Sequence, residues 1–353
     1  MREAVFEFEL LTPAILAGAD QQSAEMRIPS IRGVLRWWTR FLFGEEYEDE
    51  IFGFVHGKEC SASTVQMRLI DSHPILLNPQ KVEELTRDKF DYFLWSLQQK
   101  AKEGNPPNTR GALDAGSRFT VSCKMKPDCD MWSGLIKAFL LFGSLGTRSR
   151  RAYGSIWPVS VTFDGERWEI PQNLDDLKRQ ARIFFDEVNI SIYSLSGGVK
   201  NYKTAIKICE KFLKTLRCGK TQRETVASKW GENDHDAGLA KEPKIYRAAL
   251  GLPLMQRYSS GRSVEYSING LDRLASPLHF KIVKLQDGYV PLLMVIPEYI
   301  PEQGSVVKAR IKNGNSFDVS LDRELLDDVI RNPERLKEIF PDTEKLVHYV
   351  IEE

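Results

Sequence analysis

Two stretches of this chain are basic although the whole is electrically balanced. Met26 to Gly44 contains Arg27, Arg32, Arg36 and Arg40 and no acid, and Met131 to Phe163 contains Arg148, Arg150 and Arg151 and again no Asp or Glu. Lys plus Arg and Asp plus Glu number 49 each, so no global field draws polyanions in and any such site is a local patch. On a helix, positions 32, 36 and 40 each advance about 40° beyond a full turn, and the three guanidinium groups share an arc of about 80°. That ladder suits phosphate, and the helix start at Ser30 to Gly33 adds unpaired N–H groups, with Gly33 admitting a close backbone. The competing reading pairs the same arginines with Glu45, Glu46, Glu48, Asp49 and Glu50 just downstream.

The second stretch holds a glycine loop, Gly143-Ser-Leu-Gly146-Thr-Arg148-Ser-Arg150-Arg151-Ala-Tyr153-Gly154. Glycines permit positive φ, which turns successive N–H groups toward one point, while arginine supplies bidentate phosphate contacts and Tyr153 or Trp37 a ring for a base to stack on. The spacing is neither a dinucleotide fingerprint nor a P-loop. At Gly219-Lys220-Thr221 the place of the first P-loop glycine is taken by Lys214. Lys200, Lys203, Lys207, Lys211 and Lys214 form a basic helical stripe that reads first as a solvated face.

Five histidines lie far from one another, no H-E-x-x-H occurs, and neither a metal nor another cofactor is expected. Five cysteines without a C-x-x-C pair point to a reduced, cytoplasmic protein, and no apolar run reaches membrane-spanning length.

The elements that must position these residues follow from periodicity. Val5 to Leu11 alternates as a strand, and Ile31, Leu35, Trp38 and Leu42 mark the buried face of a helix with Pro29 and Ser30 at its cap. Thr64 to Ile70 and Arg118 to Lys126 read as strands, Val82 to Lys102 as a helical insertion, Trp132 to Phe142 as a helix and Tyr153 to Phe163 as a strand. The order is β-α-β-β-α-β, which is ferredoxin-like. Helices are expected at Leu174 to Val188, Lys200 to Leu216, Leu321 to Arg331 and Thr343 to Glu352, and Cys218 to Glu242 as irregular. Strands are expected at Leu278 to Leu285 and Tyr289 to Ile296 about an Asp287-Gly288 turn, and at Val306 to Ile311.

Ile28-Pro-Ser-Ile-Arg32-Gly33-Val-Leu-Arg36 with Trp37-Trp38, taken with the glycine loop, resembles the RAMP superfamily of CRISPR systems, in particular its first-subunit family of the type III-B Cmr effector. The resemblance implies an α+β chain of two tandem ferredoxin-like (RRM-like) domains with helical insertions, residues 1–165 and 166–353. It implies a place beside other Cmr subunits on single-stranded guide or target RNA. Ala152 departs from the glycine common in that family, which puts the loop geometry in question. In such assemblies base pairing chooses the sequence and the protein holds the backbone. The expected RNA-binding set is therefore Arg32, Gly33, Arg36, Trp37, Arg40, Gly143, Gly146, Arg148, Arg150, Arg151, Tyr153 and Gly154, without catalysis. Two rivals remain: a metal-independent endonuclease with His56 or Tyr153 as general base, and an assembly scaffold in which the Glu45 to Glu50 run and the Lys200 helix dock neighbouring subunits.

Overall fold

The computed structural model describes residues 2–20, 22–78, 81–82, 84–85, 92–94, 110–125, 131–217, 229–298, 300–312 and 314–348. Two compact units emerge: Met1–Val188 with Gly197–Ile206 and Phe280–Leu292, and Asn189–Ser196 with Lys207–His279 and Leu293–Glu353.

In the first, β1 (Arg2–Leu10) is followed by α1 (Ile28–Phe43), α2 (Glu45–Phe52), β2 (Val65–His73), β3 (Arg118–Met125), α3 (Met131–Phe142), β4 (Ile156–Phe163), β5 (Glu166–Arg167) and α4 (Leu174–Phe185). The sheet order is β5-β4-β1-β3-β2, antiparallel throughout. Without the short edge strand β5 this is the ferredoxin-like 4-1-3-2 order, with β1 and β3 central because their alternate residues are the most apolar. Ala4, Phe6, Phe8 and Leu10 of β1 and Phe119, Val121 and Cys123 of β3 are all fully or nearly fully buried; each such large side chain contributes about 1.5–3 kcal/mol.

Helix α1 buries Ile31, Leu35 and Trp38 as its periodicity predicts, while Leu42 is only half-buried. Its start is a correction: Arg27 occupies the cap in an extended conformation, without a side-chain cap bond, and Ser30 lies inside the first turn. Pro29 explains the shift, since its fixed φ favours the first helical turn, where a missing N–H loses no bond. Trp38 and Phe142 both meet Phe185 of α4, at 6.1 Å and 5.2 Å between ring centres. Most of the expected Val82 to Lys102 helix lies outside the described residues.

Besides several other two- and three-residue strands and short turns, the remaining elements are β6 (Ser191–Ser194), α5 (Tyr202–Arg217), α6 (Lys229–Ala237), β7 (Lys244–Ile245), β8 (Met255–Arg257), β9 (Ser263–Ile268), β10 (Leu278–Leu285), β11 (Gly288–Val295), β12 (Val306–Ile311), β13 (Ser316–Leu321), α7 (Pro333–Ile339) and β14 (Glu344–His348). The four-stranded sheet β10-β11-β6-β14 is, read in chain order, 2-3-1-4, the reverse of 4-1-3-2 and so a second ferredoxin-like arrangement. A five-stranded sheet, β7-β13-β12-β9-β8, is built from the inserted segments.

Three expectations are corrected. The described part of the expected Thr343 to Glu352 helix is strand β14 over Glu344–His348, because its backbone pairs with Ser191–Ser194, and residues 349–352 lie outside the described residues. The Leu321 to Arg331 helix is the end of β13 followed by a π-helical turn, Leu325–Ile330. The supposedly irregular Cys218 to Glu242 contains α6, whose Trp230, Asp234 and Ala237 are buried at helical spacing. Asp234 there accepts from the Tyr246 and Arg247 backbone N–H groups at 2.7 and 3.0 Å and from Arg247 Nε at 2.7 Å.

Candidate nucleic-acid interface

The α1 arginines do share one side, and that side meets α2. Arg36 Nε and Arg40 Nε each lie 2.6 Å from one oxygen of Glu48, a residue 3 % exposed. Burial pushes the Glu48 carboxyl up, but the Arg40 and Arg36 guanidinium groups outweigh it and hold its pKa below the usual carboxylate range. Arg32 donates to the Phe52 carbonyl at 2.8 Å and sits over the Phe52 ring. Trp37 stacks on Phe41 at 5.2 Å and 9°. The expected ladder is real, and its lower two rungs are closed by one carboxylate from the acidic run. Gly33 is exposed, and a Cβ there would meet nothing within 4 Å.

The glycine loop is fastened at both edges. Thr147 N–H donates to Ile15 O, Gly154 N–H to Pro13 O, Ala152 N–H to Phe280 O, Leu145 N–H to Gly154 O and Arg151 N–H to Arg148 O, all between 2.7 and 3.0 Å. Thr12 Oγ1 donates to Ala152 O and accepts from Ser155 N–H. These donors are spent inside the protein, so the expected fan of N–H groups toward a phosphate is corrected. The glycines serve close packing instead. A Cβ on Gly143 would strike the Phe139 carbonyl, on Gly146 (φ +89) the Ile15 carbonyl, and on Gly154 (φ +66) the Leu145 carbonyl. Ala152, at φ +64 and fully buried, keeps the left-handed geometry that favours glycine.

Lys281, fully buried, donates its ammonium to Gly143 O and, at 2.6 Å, to Ile156 O, clamping both ends of the loop. Burial drives its pKa well below the ordinary lysine value. Phe280 N–H donates to Arg150 O at 3.1 Å, and Ile282 N–H to Ser155 Oγ at 3.0 Å.

With these N–H groups committed, the charged groups the loop can offer an anion are its arginine side chains. Arg151 lies over the rings of Phe93 and Phe280. Arg148, at φ +67, is half-buried, and burial alone lowers its pKa; among the described residues its guanidinium pairs with no carboxylate. Arg110, which no motif singled out, reaches Thr147 Oγ1 at 3.5 Å and lines a cavity of about 240 Å³ with Ile15, Leu16, Ala17, Gly146 and Thr147. Tyr153 is 3 % exposed, so its ring packs the core rather than offering a stacking platform. Neither Lys281 nor Arg110 had a sequence signal, because each acts through partners distant along the chain.

His56 sits on a short hairpin, stacked on Phe54, with Nε2 3.3 Å from an Asp49 oxygen. The lysine stripe is exposed at Lys200, Lys203, Lys207 and Lys211, opposite the buried Ala205, Cys209, Phe212 and Leu216. Among the described residues no group of three or more His, Cys, Asp or Glu is placed to hold a metal ion, and no helix is long and apolar enough to cross a membrane.

Comparison with known proteins finds relatives of this sequence and fold. The chain is 28% identical over 179 residues to Cmr subunit Cmr1-2 of a CRISPR system in Pyrococcus furiosus, covering 44% of this chain and 95% of that protein. It is 26% identical over 307 residues to Cmr subunit Cmr1-1 of the same organism, covering 79% and 83%. Its fold matches the crystal structure of Cmr1 from Pyrococcus furiosus in its apo form, with a TM-score of 0.57 at 16% identity over 98% of this chain and 99% of that one. Residues 7–157, which carry α1, β2, β3 and the glycine loop, match the model of the RAMP superfamily.

Proposed function

We propose that the chain is a non-catalytic, single-stranded RNA-binding subunit of a Cmr-type CRISPR assembly, touching guide RNA, target RNA or both beside other Cmr subunits. The relatives named as Cmr subunits support the assembly, and Arg148 carries the RNA contact. A guanidinium cannot shed its proton to escape burial, so a half-buried one without a carboxylate is stabilised by an arriving anion. Arg150 and Arg151 on the same loop and Arg32 at the start of α1 complete the proposed phosphate contacts, with Gly33 letting the strand approach the helix. Arg36 and Arg40 join only if Glu48 releases them.

The test is binding of labelled single-stranded RNA to the purified protein across a salt series. Three or four phosphates held give a log–log slope of about −2 to −3 at roughly 0.7 per contact. Arg148→Gln with Arg150→Gln should flatten it by about 1.4; an unaltered slope removes the loop from the interface. The same RNA recovered as discrete fragments, with or without divalent metal, would overturn the non-catalytic part, above all if His56→Ala abolished the cutting.

A scaffold role has its own support. Glu45, Glu46 and Glu50 of α2 are exposed, and Tyr47 is 40 % exposed beside them, a face suited to a basic neighbour. Charge reversal at the three acids should reduce co-purification with Cmr subunits while RNA affinity holds.

A further inference from the structure

The five-stranded sheet has an outward face whose two ends differ in charge. Its residues follow the period of two: Arg257 on β8; Ser263, Glu265 and Ser267 on β9; Lys308 and Arg310 on β12; and Asp318 on β13 are exposed or half-exposed, while Val264, Tyr266, Val307 and Ala309 are buried beneath. Pairing sets Arg257 opposite Ser263, Glu265 opposite Arg310 and Lys308 opposite Asp318, and the Lys312 N–H donates to Ser263 O at 2.9 Å. Arg257 and Lys312 therefore flank Ser263 on neighbouring strands, about 10 Å apart at about 4.8 Å per strand.

Toward β13 the charges are mixed: Lys308 and Arg310 share a cavity of about 570 Å³ with Glu265, Asp272 and Asp318. Toward the β8–β9 turn they are not. A cavity of about 660 Å³ is lined there by Arg257, Tyr258, Arg262, Arg310 and Lys312, with Glu265 the only acid among its lining residues. The turn is closed by Tyr258 N–H to Arg262 O at 2.9 Å and Gly261 N–H to Tyr258 O at 3.0 Å. Among the described residues none of the four cations has an ion-pair partner, and Arg262, whose Nη2 donates to Gly238 O at 3.3 Å, has its Nε buried with no hydrogen-bond partner. Three other cations of this unit are engaged by carboxylates: Arg247 by Asp234, Arg323 by Asp327 and Lys244 by Asp322. A solvated sheet face has no need to concentrate four unpaired cations at one end, whereas a polyanion that replaces their hydration does.

We infer that this cavity is a second phosphate-backbone site, separate from the glycine loop, for a single strand of RNA. The inference rests on the RNA-binding reading. It takes sugar-phosphate rather than bases, because the cavity supplies guanidinium and ammonium groups while Tyr258 is held by its hydroxyl, donating to His235 O or Gln256 Oε1.

The experiment uses the full chain and one labelled single-stranded RNA long enough to reach both sites, with affinity followed across a salt series. Arg257→Gln, Arg310→Gln and Lys312→Gln combined should flatten the slope by about 2, at roughly 0.7 per contact, with the melting temperature unchanged. Glu265→Gln removes the opposing charge and should tighten binding about two- to threefold; it decides the matter should the triple variant fold poorly. Wild-type protein that shows no salt-dependent binding brings down both readings. Binding that Arg148→Gln weakens, but that the triple variant and Glu265→Gln leave as in the wild type, overturns the second site alone.

Discussion

Helix α1 and the glycine loop enter with the same credential, arginines in an acid-free stretch, and leave with different prospects. On α1 a single buried carboxylate from α2 takes two of the three guanidinium groups. On the loop Arg148 is half-buried with only its own desolvation to answer. Local charge excess thus marks where cations sit, and the availability of a cation is decided by what folds back against it. The backbone teaches the same lesson in reverse: the loop's glycines, read as N–H donors for phosphate, give the chain room to lie against Phe139, Ile15 and Leu145.

The contrast can be broken first at the loop's foundations. Gly154→Ala combines a left-handed φ with a collision against a backbone carbonyl and should cost at least about 3 kcal/mol, seen as a large fall in melting temperature; a stable variant would mean the loop is not held as described. Next, Arg148→Gln should weaken RNA about tenfold or more, the value of a charge-assisted contact of about 1.5–3 kcal/mol, without loss of stability, since the group it removes is desolvated and, among the described residues, pairs with no carboxylate. An RNA affinity equal to wild type would return the loop to a structural role.

Glu48→Gln sharpens the other side of the comparison. Freed from their clasp, Arg36 and Arg40 should steepen the salt slope by up to about 1.4, while the fold loses about 1–2 kcal/mol, less than a fully buried pair because both arginines remain partly exposed. Because the folded carboxyl has a depressed pKa, the wild-type contribution is present above the ordinary glutamate range and is lost as pH falls through the folded value. Acid titration of stability should therefore show a step in wild type that Glu48→Gln lacks. The smallest effect is Gly33→Ala. Nothing within the chain opposes a methyl there, so stability should rise by up to about 1 kcal/mol. Weaker RNA binding in this more stable variant would identify an approaching strand as the reason for glycine; unchanged binding would leave the position unexplained.

What could be read from the sequence was what neighbours along the chain decide. The buried stripe Ile31, Leu35, Trp38 follows from spacing alone, as do the β-α-β-β-α-β order and the Asp287-Gly288 hairpin. Glu48 was visible only as one of five candidate acids, since choosing among them requires the turn between α1 and α2. Strand β14 read as a helix because its partner Ser191–Ser194 lies more than a hundred residues away and nothing in Glu344 to His348 announces it. Lys281 was silent for the same reason: a lysine in an apolar strand gives no hint of two carbonyls far upstream.

That lysine also sets a timetable. The loop leaves the ribosome more than a hundred residues before the strand that fastens it, and at about 5–20 residues per second it waits roughly 6–25 s, during which Gly143 O and Ile156 O lack their ammonium and Arg150 O its N–H. A nascent or truncated chain ending near residue 165 has every loop arginine and none of the clasp. The loop proposed to grip RNA is thus completed late in synthesis, when the distal strand arrives.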